Sequence, residues 1–467
     1  MYKTKSPFIL GKDSLIPEEF TKHRYFSGAL FASLAVLFLI RFYFATQLMP
    51  APVGDSMFFL EPIYNYCHSD KLIAYVQPIH PAGDYRYISH GPFTPILYRY
   101  LGKECDLQHL FELRTACFLI IPLALLVLVR RKIISAGAWF CLSVFCLAVS
   151  EKVGFRPEHI CIILVVLAFV ARVFDRIVLE GICCGCIFLS SPVSGGLYCV
   201  VRSLNSESAN LKDIPFFLIG ALGAVVIVFL LYPYSFGDWL TGIRVQAQFN
   251  VNRSDGDIFT YYIRSDFLPL WGLSIILMIG VASVRNLKYL LLLPFIWYFG
   301  LRVPTTSYNL LTTLVLVFLQ DYPVMSHRQR VLTSALLLLP GLLGLAQLSA
   351  RDAVSMALYP DSFDQSRSII AQSIAEGHSI VGLPGSAIFT NPELHAALTA
   401  QVPPRSESDR GLSDKILIIG DNGSGGKSCP EGTTLINPQP KKPWWFLFKS
   451  SSSWAVNLCR YSSALSR

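Results

Sequence analysis

The chain has 467 residues, of which 53% are apolar and only 15% are charged. Soluble domains carry about 25% charged residues, and a soluble fold of this length could not bury so much apolar surface. The composition also excludes a disordered, collagen-like, coiled-coil or small disulfide-framework protein. The formal net charge of +8 would suit a nucleic-acid-binding protein, but the positions of the basic residues give it another explanation.

Long apolar segments recur along the chain and predict membrane-spanning helices, each of which needs about 20 mostly apolar residues. The first covers residues 27–49. Lys and Arg residues precede it, which indicates an uncleaved signal anchor with a cytoplasmic N-terminus. The further segments lie at about 110–129, 133–149, 159–174, 177–189, 192–204, 213–233, 266–283, 287–302, 307–322 and 331–349. The predicted fold class is therefore mainly α, a polytopic transmembrane helical bundle of about 11 spans.

The turns between these segments support that topology. If the spans alternate sides, the cytoplasmic turns begin at Arg130, Arg172, Arg202, Arg285 and His327, and every one of them is basic. This agrees with the positive-inside rule. The net charge then reflects orientation in the membrane, and we predict no nucleic-acid partner. The stretch 177–204, which is rich in glycine and contains Pro192, is also compatible with a broken or re-entrant pair of helices.

The spans divide the chain into three parts. Residues 1–26 are predicted to be cytoplasmic, and residues 27–349 form the membrane domain, with large outer loops at 50–109 and 234–265. Residues 350–467 are more polar and are predicted to form a small extracytoplasmic α/β domain.

Two short segments carry the α/β prediction for the tail. Residues 368–377 indicate a helix, and KILIIG at 415–420 indicates a buried strand. Four cysteines lie outside the apolar spans. On an oxidising side of the membrane they could form Cys67–Cys105 and Cys429–Cys459 bridges, and free thiols are the alternative.

The first outer loop holds the densest set of candidate functional residues. Asp55 lies just after the first span and is followed by an apolar helical stretch. A half-buried carboxylate at the membrane edge suits a general base. Asp55 also suits the N-cap of a helix running through residues 57–66, and the two roles are compatible.

A second cluster of ionisable residues lies in the turn 151–159, between the third and fourth spans. Pro157 suits the first turn of a helix, and Glu158 suits its N-terminal dipole. The turn predicts either an anion or sugar site built from Arg156 and Glu158, or a salt-bridged turn that satisfies itself.

Arg264 and Arg302 lie beside predicted outer ends of spans. An Arg side chain matches the geometry of a phosphate group, although single Arg residues at membrane interfaces also serve as snorkelling anchors. The sequence contains no zinc-protease, paired CxxC, serine-hydrolase or dinucleotide-binding motif.

The order and sidedness of these features resemble the GT-C glycosyltransferases, polytopic enzymes such as the protein O-mannosyltransferases and the aminoarabinose transferases of lipid A. An acidic residue follows the first span, at Gly54-Asp55, and a Pro- and Tyr-rich stretch, residues 90–98, ends the same loop. An Arg-Pro-Glu turn lies at 156–158, and Arg302 and Tyr308 flank a late span. The resemblance covers about residues 25–350.

The resemblance implies a polyprenyl-phosphate-linked sugar as donor, and a hydroxyl group on a glycan, lipid or protein as acceptor. Asp55 would take the acceptor proton, and Arg156, Arg264 or Arg302 would stabilise the leaving phosphate. Inversion at the anomeric carbon is the implied outcome. The remaining residues expected to contact substrate or phosphate are Glu61, Arg86, His90, Glu158, His159 and Tyr308.

No cofactor is implied, and a divalent metal has no support in the sequence. Many members of this class have two neighbouring acids in the first loop, whereas here Ser56 follows Asp55 and the nearest second acid is Glu61. A bacterial inner membrane is the favoured location, with the endoplasmic reticulum membrane as the alternative.

Two other classes of function stay open. A transporter or flippase of lipid-linked saccharides would also have many spans and scattered outer charges, but transporters usually show internal repeats and charges near the bilayer midplane. The sequence shows no repeat. A non-catalytic assembly protein could keep the same layout.

Overall fold

The computed structural model describes residues 24–50, 55–69, 72–73, 86–88, 90–102, 106–204, 211–252, 308–358 and 362–376, with parts of 274–298 and four short strands in the C-terminal region. The helices are α1 (Arg24–Thr46), α2 (Asp55–Ser69), α3 (Phe93–Leu101), α4 (Leu107–Cys117), α5 (Ile120–Arg130), α6 (Ala136–Val153), α7 (Glu158–Val173), α8 (Ile177–Ser190), α9 (Pro192–Leu204), α10 (Ile214–Leu231), α11 (Phe236–Asn252), α12 (Leu293–Ile296), α13 (Tyr308–Asp321), α14 (His327–Leu358) and α15 (Ser362–Ala375). The described part of the chain is mainly helical, as predicted.

Among the described residues, five stretches are long and apolar enough to cross a membrane. They are the part of α1 from Ser27, the combined length of α4 and α5, and helices α6, α10 and α14. This is compatible with an integral membrane protein. Helices α8 and α9 have 14 and 13 residues and are therefore about 20 Å long. They are shorter than a hydrocarbon core of about 30 Å.

The strands are β1 (Ser379–Gly382), β2 (Lys415–Gly420), β3 (Thr433–Leu435) and β4 (Val456–Tyr461), and they form one sheet in the order β1-β2-β4-β3. β1 and β2 are parallel, and β4 pairs antiparallel with both β2 and β3. The predicted strand at 415–420 coincides with β2, and the predicted helix at 368–377 overlaps α15. Cys67 is disulfide-bonded, and its predicted partner Cys105 lies outside the described residues, as does Cys429.

Glycines bring α8 and α10 into close contact. A Cβ atom added at Gly185 would lie 2.6 Å from the carbonyl oxygen of Ala221, and one added at Gly220 would overlap the carbonyl of Val178. Small residues allow this approach because they leave no side chain between the two backbones, which is typical of helix pairs in membranes.

A fully buried charge cluster joins four helices. Arg41 of α1 donates to Glu151 of α6 and to Asp352 of α14, at 3.0 and 2.8 Å, and Arg114 of α4 donates to Glu151 at 3.0 Å. These four residues, the buried charge cluster, were not predicted. Arg41 lies in the last two turns of α1, Glu151 in the last turn of α6, and Arg114 in the last turn of α4. The ends of α1 and α6 and the short helix α4 therefore lie at the same end of the bundle, which we call the loop end.

The C-terminal segment returns to the loop end. Ile370 of α15 is fully buried in a hydrophobic cluster that also contains Phe59 of α2 and Phe111 of α4. This cluster is separate from the main core, which is formed chiefly by α5, α6, α7, α9 and α13. The loop end thus has a core of its own, and that core supports the site described next.

Candidate functional site

Arg156 lies at the centre of a cluster of predicted site residues at the loop end. Its guanidinium group lies over the rings of Phe59 and Tyr308, at 5.1 and 4.9 Å from their centroids. It also forms a two-pronged pair with Glu158, with Nε–Oε2 and Nη2–Oε1 distances of 3.2 and 3.1 Å. The Arg156 side chain is 11% exposed. The structure therefore brings Arg156 and Glu158, which were predicted in one turn, together with Tyr308 from a distant segment. It adds Phe59, which was not predicted.

Several helices begin around this guanidinium group. Glu158 is the first residue of α7 and Tyr308 the first of α13, while Phe59 lies in the second turn of α2. Amide groups at a helix N-terminus carry a partial positive charge. The helix ends therefore add to the charge of Arg156 and favour an anion at this place.

A buried hydrogen-bonded cluster places a further N-terminus beside the site. Asn309, the second residue of α13, accepts hydrogen bonds from the hydroxyls of Ser191 and Ser194, at 2.7 and 2.6 Å. These serines flank the start of α9, so α9 and α13 begin side by side. None of the three residues was predicted as a site residue. The available signal was a polar Asn next to Tyr308 at the start of an apolar span.

The Pro- and Tyr-rich stretch of the first loop covers Phe59. The ring of His90 packs edge-on against Phe59 with centroids 4.7 Å apart, and it stacks on Tyr87 at 5.5 Å. Gly91 fits against the carbonyls of Leu189 and Ser190, where a Cβ atom would clash. Burial raises the pKa of Tyr87 well above its ordinary value, so this phenol stays neutral.

His159 holds the turn that carries Arg156. Its Nδ1 atom lies 2.7 Å from the carbonyl oxygen of Arg156, and its Nε2 atom lies 2.6 Å from the hydroxyl of Tyr98. Because a carbonyl only accepts, Nδ1 carries the proton and Nε2 accepts from Tyr98. His159 is fully buried, and both ring nitrogens are engaged by protein groups. The residue predicted as a substrate contact thus lies behind Arg156, and Tyr98, which was not predicted as a site residue, fixes its orientation.

Asp55 is the first residue of α2, and Phe59 follows one turn later, a rise of about 6 Å. The backbone of Asp55 therefore lies one turn from the ring that covers Arg156. Its side chain lies outside the described part of the structure, so the base and the N-cap both stay predictions. Glu61, on the same helix, is fully buried.

Three arginines that the sequence predicts as phosphate or substrate contacts, Arg86, Arg264 and Arg302, are not seen in this cluster within the described part of the chain. Arg86 forms an exposed ion pair with Asp238 at 2.8 Å, and this pair belongs to the contact between the first loop and α11. Arg264 and Arg302 lie outside the described residues. Among the residues that the structure describes, no group of three or more His, Cys, Asp or Glu side chains could hold a metal ion.

Comparisons with family models, with curated proteins and with solved structures find no match for this chain.

Proposed function

We propose that the protein is an integral-membrane, inverting glycosyltransferase that moves a sugar from a polyprenyl-phosphate donor to a hydroxyl acceptor on the outer face of the membrane. The observation that carries this proposal is the setting of Arg156. A cation that lies over two aromatic rings, at a point where several helices begin, suits a phosphate group. Aromatic rings beside it suit the apolar faces of a sugar.

The proposed reaction gives each group one role. The acceptor oxygen forms a bond to the anomeric carbon as the bond from that carbon to the phosphate oxygen breaks. Asp55 takes the proton from the acceptor hydroxyl. Arg156 and the neighbouring helix N-termini stabilise the charge on the departing polyprenyl phosphate. Tyr98 and His159 position the turn that carries Arg156 and do not contact the substrate.

The proposal includes a topology of about 11 spans, with the loop end facing outward and an α/β domain formed by residues 350–467 on that side. The basic turns at the opposite end support the orientation. The contact of Ile370 with the loop-end core supports the position of the tail. A bacterial inner membrane is the proposed location, and the endoplasmic reticulum membrane is the alternative.

A transporter or flippase of lipid-linked saccharides is the second candidate. The buried charge cluster favours it, since charges inside an apolar bundle often mark a transport path. In this cluster, however, Glu151 is held by two arginines, Arg41 and Arg114. This arrangement suits a fixed link between helices better than a group that must exchange a substrate or ion.

The experiment is a turnover assay on the purified full chain with radiolabelled polyprenyl-phosphate sugars and a mixture of hydroxyl acceptors. Asp55→Asn is the test variant. Asp106→Asn is the matched control, since Asp106 precedes α4 at the same end of the bundle and is exposed. We expect release of sugar from one donor by the wild type and by Asp106→Asn, and none by Asp55→Asn. Failure of the folded wild type to consume any donor would contradict the proposal, and transport of donor across vesicles would favour the second candidate.

A further inference from the structure

Helix α11 follows the candidate span α10 after a short turn, in a region that the sequence predicted as a loop. A reciprocal cap starts it. The amide of Asp238 donates to the hydroxyl oxygen of Ser235 at 3.1 Å, and the carboxylate of Asp238 accepts from the amide and hydroxyl of Ser235 at 3.1 and 2.7 Å. This Ser-x-x-Asp pattern is a helix-start signal, and it fixes the first turn of α11.

One face of α11 is fixed to the bundle. Trp239 is buried and packs against Phe188 of α8 and Phe229 of α10, with ring centroids 6.1 and 5.4 Å apart. One turn later, Gly242 lies against Ile88, where an added Cβ atom would be 2.9 Å from the Ile88 side chain. The orientation of α11 about its own axis is therefore set by these contacts.

The two remaining flanks of α11 differ in polarity. Phe236 and Leu240 are each 48% exposed and are spaced four residues apart, so they lie on the same side of the helix. Arg244 follows at the same spacing and is exposed. The other flank carries Asp238, which pairs with Arg86 at 2.8 Å in an exposed position. The helix thus has an apolar flank that ends in a basic residue and a polar flank bound to the first loop.

The apolar flank continues a surface that suits lipid. The ring of Phe236 packs against Phe229 in the last turns of α10, with centroids 5.0 Å apart. On α10 the neighbouring Leu230 is 79% exposed, and this helix is among those long and apolar enough to cross a membrane. Phe236 and Leu240 therefore continue the exposed apolar surface of the candidate span α10 beyond the turn that joins it to α11.

We infer that α11 lies on the surface of the lipid bilayer, with Phe236 and Leu240 in the boundary between headgroups and acyl chains and with Asp238 facing water. Helices of this kind bury their apolar face about 5–10 Å into that boundary. The exposed Arg244 matches the anionic headgroups. The inference needs only the membrane location of the bundle and does not depend on the proposed transferase activity.

The contact partners of α11 give this surface helix a consequence for the site. Through Ile88 and the Arg86–Asp238 pair, α11 holds the stretch that leads to His90, which covers Phe59. A helix α11 that lies on the bilayer surface would therefore fix the depth of the Arg156 site relative to that surface. A site fixed at headgroup depth would meet the polar end of a lipid-anchored ligand.

The test uses a photoreactive p-benzoylphenylalanine introduced at one position at a time, in the full chain reconstituted into vesicles of phosphatidylcholine and phosphatidylglycerol. Leu240 is the test position and Leu230 is the positive control. Thr241 is the matched control, since it is exposed and adjacent but lies toward the polar side. All three side chains are exposed, and the labelled proteins are compared with the wild type by size-exclusion chromatography before irradiation.

After irradiation, mass spectrometry counts the lipid adducts. We expect adducts at positions 240 and 230 at similar yield, and a yield at position 241 lower by about tenfold, because only the apolar flank reaches the acyl boundary. Adducts at 230 without adducts at 240 would overturn the inference, since α11 would then stand clear of the bilayer. Equal yields at 240 and 241 would also overturn it, because the helix would then be surrounded by lipid.

Discussion

Two Arg–Glu pairs occupy opposite ends of the same bundle and look alike in isolation. At the loop end, the Arg156 side chain donates hydrogen bonds to Glu158 from two nitrogens and is 11% exposed. At the other end, the Arg202 side chain donates two hydrogen bonds to the Glu180 carboxylate, at 2.8 and 3.3 Å. Its guanidinium group lies 4.5 Å from the centroid of the Phe217 ring, and the side chain is 14% exposed. Distance, stacking and burial therefore do not distinguish them.

The helix ends distinguish the two pairs. Arg202 lies in the last turn of α9 and Glu180 in the first turn of α8, so each charge faces the helix end that it stabilises. Arg156 instead precedes the start of α7 and lies beside the start of α13, where the helix ends are positive. Among the described residues, Glu158 is the carboxylate seen in contact with Arg156. The charges of the first pair therefore oppose the partial charges of their helix ends, whereas the helix starts beside the second pair add positive potential, which favours an anionic ligand.

The largest effect is expected for Arg156→Gln in the turnover assay. Removing one oxyanion-hole donor typically lowers kcat about 10²–10³-fold, and we expect a loss of that size for Arg156→Gln, measured per folded protein. Arg202→Gln is the matched variant and should keep wild-type turnover per folded protein. Equal losses in both variants would mean that the two pairs have the same role.

The next effect concerns stability. Glu180→Gln leaves the charge of Arg202 without its partner, and breaking a buried pair costs about 3–5 kcal/mol. We expect a value near the lower limit of that range for Glu180→Gln, from chemical denaturation in detergent. Glu158→Gln should cost less in the presence of inorganic pyrophosphate, because an anion can replace the carboxylate. A pyrophosphate-dependent gain in Glu180→Gln and not in Glu158→Gln would reverse the assignment.

Two buried tyrosines provide a smaller and more selective test. Tyr98→Phe removes the donor to His159, and Tyr198→Phe removes a donor that binds Glu180 at 3.0 Å. Each change should lower the free energy of unfolding by about 1–3 kcal/mol. Only Tyr98→Phe should also raise the KM for the donor, because it loosens the turn that carries Arg156. A KM change in Tyr198→Phe alone would contradict the role given to Tyr98.

The smallest effect is a pH dependence at the edge of the site. Hydrogen bonds from Ser235, with a further contribution from Arg86, lower the pKa of Asp238. A lowered pKa adds stability above the unfolded value of about 3.9, and that stability is lost as the pH falls through the folded value. The melting temperatures of the wild type and Asp238→Asn should therefore differ slightly near neutral pH and converge below about pH 4. A difference in melting temperature that grows as the pH falls would contradict the stabilising role given to the contacts of Asp238 with Ser235 and Arg86.

The helices and the turn at 151–159 were predictable from short-range patterns. Apolar length located the five candidate spans among the described residues, and the density of ionisable residues together with Pro157 located the start of α7. The strand at 415–420 followed from its apolar run. The contact of Arg156 with Tyr308 was not predictable, because it depends on how helices far apart in the sequence pack together.

The buried charge cluster shows the limit of the sequence most clearly. Arg41 and Asp352 are separated by 311 positions. Arg41 is a lone charge within an apolar run, and Asp352 follows Arg351 just beyond another apolar run. A charge at such a position indicates a hidden partner, but nothing in the sequence states which partner. Helix α11 differs from this case, because the polarity of 234–265 predicts a loop although the Ser235–Asp238 helix-start signal is present in the sequence.

The most direct measurement is the binding of a polyprenyl phosphate to the purified full chain, to Arg156→Gln and to Arg202→Gln, by isothermal titration calorimetry in detergent. We expect saturable binding to the wild type and to Arg202→Gln, and loss of that binding in Arg156→Gln, with all three proteins folded. Equal binding to the three proteins, or a loss confined to Arg202→Gln, would contradict the claim that the loop end is the anion site.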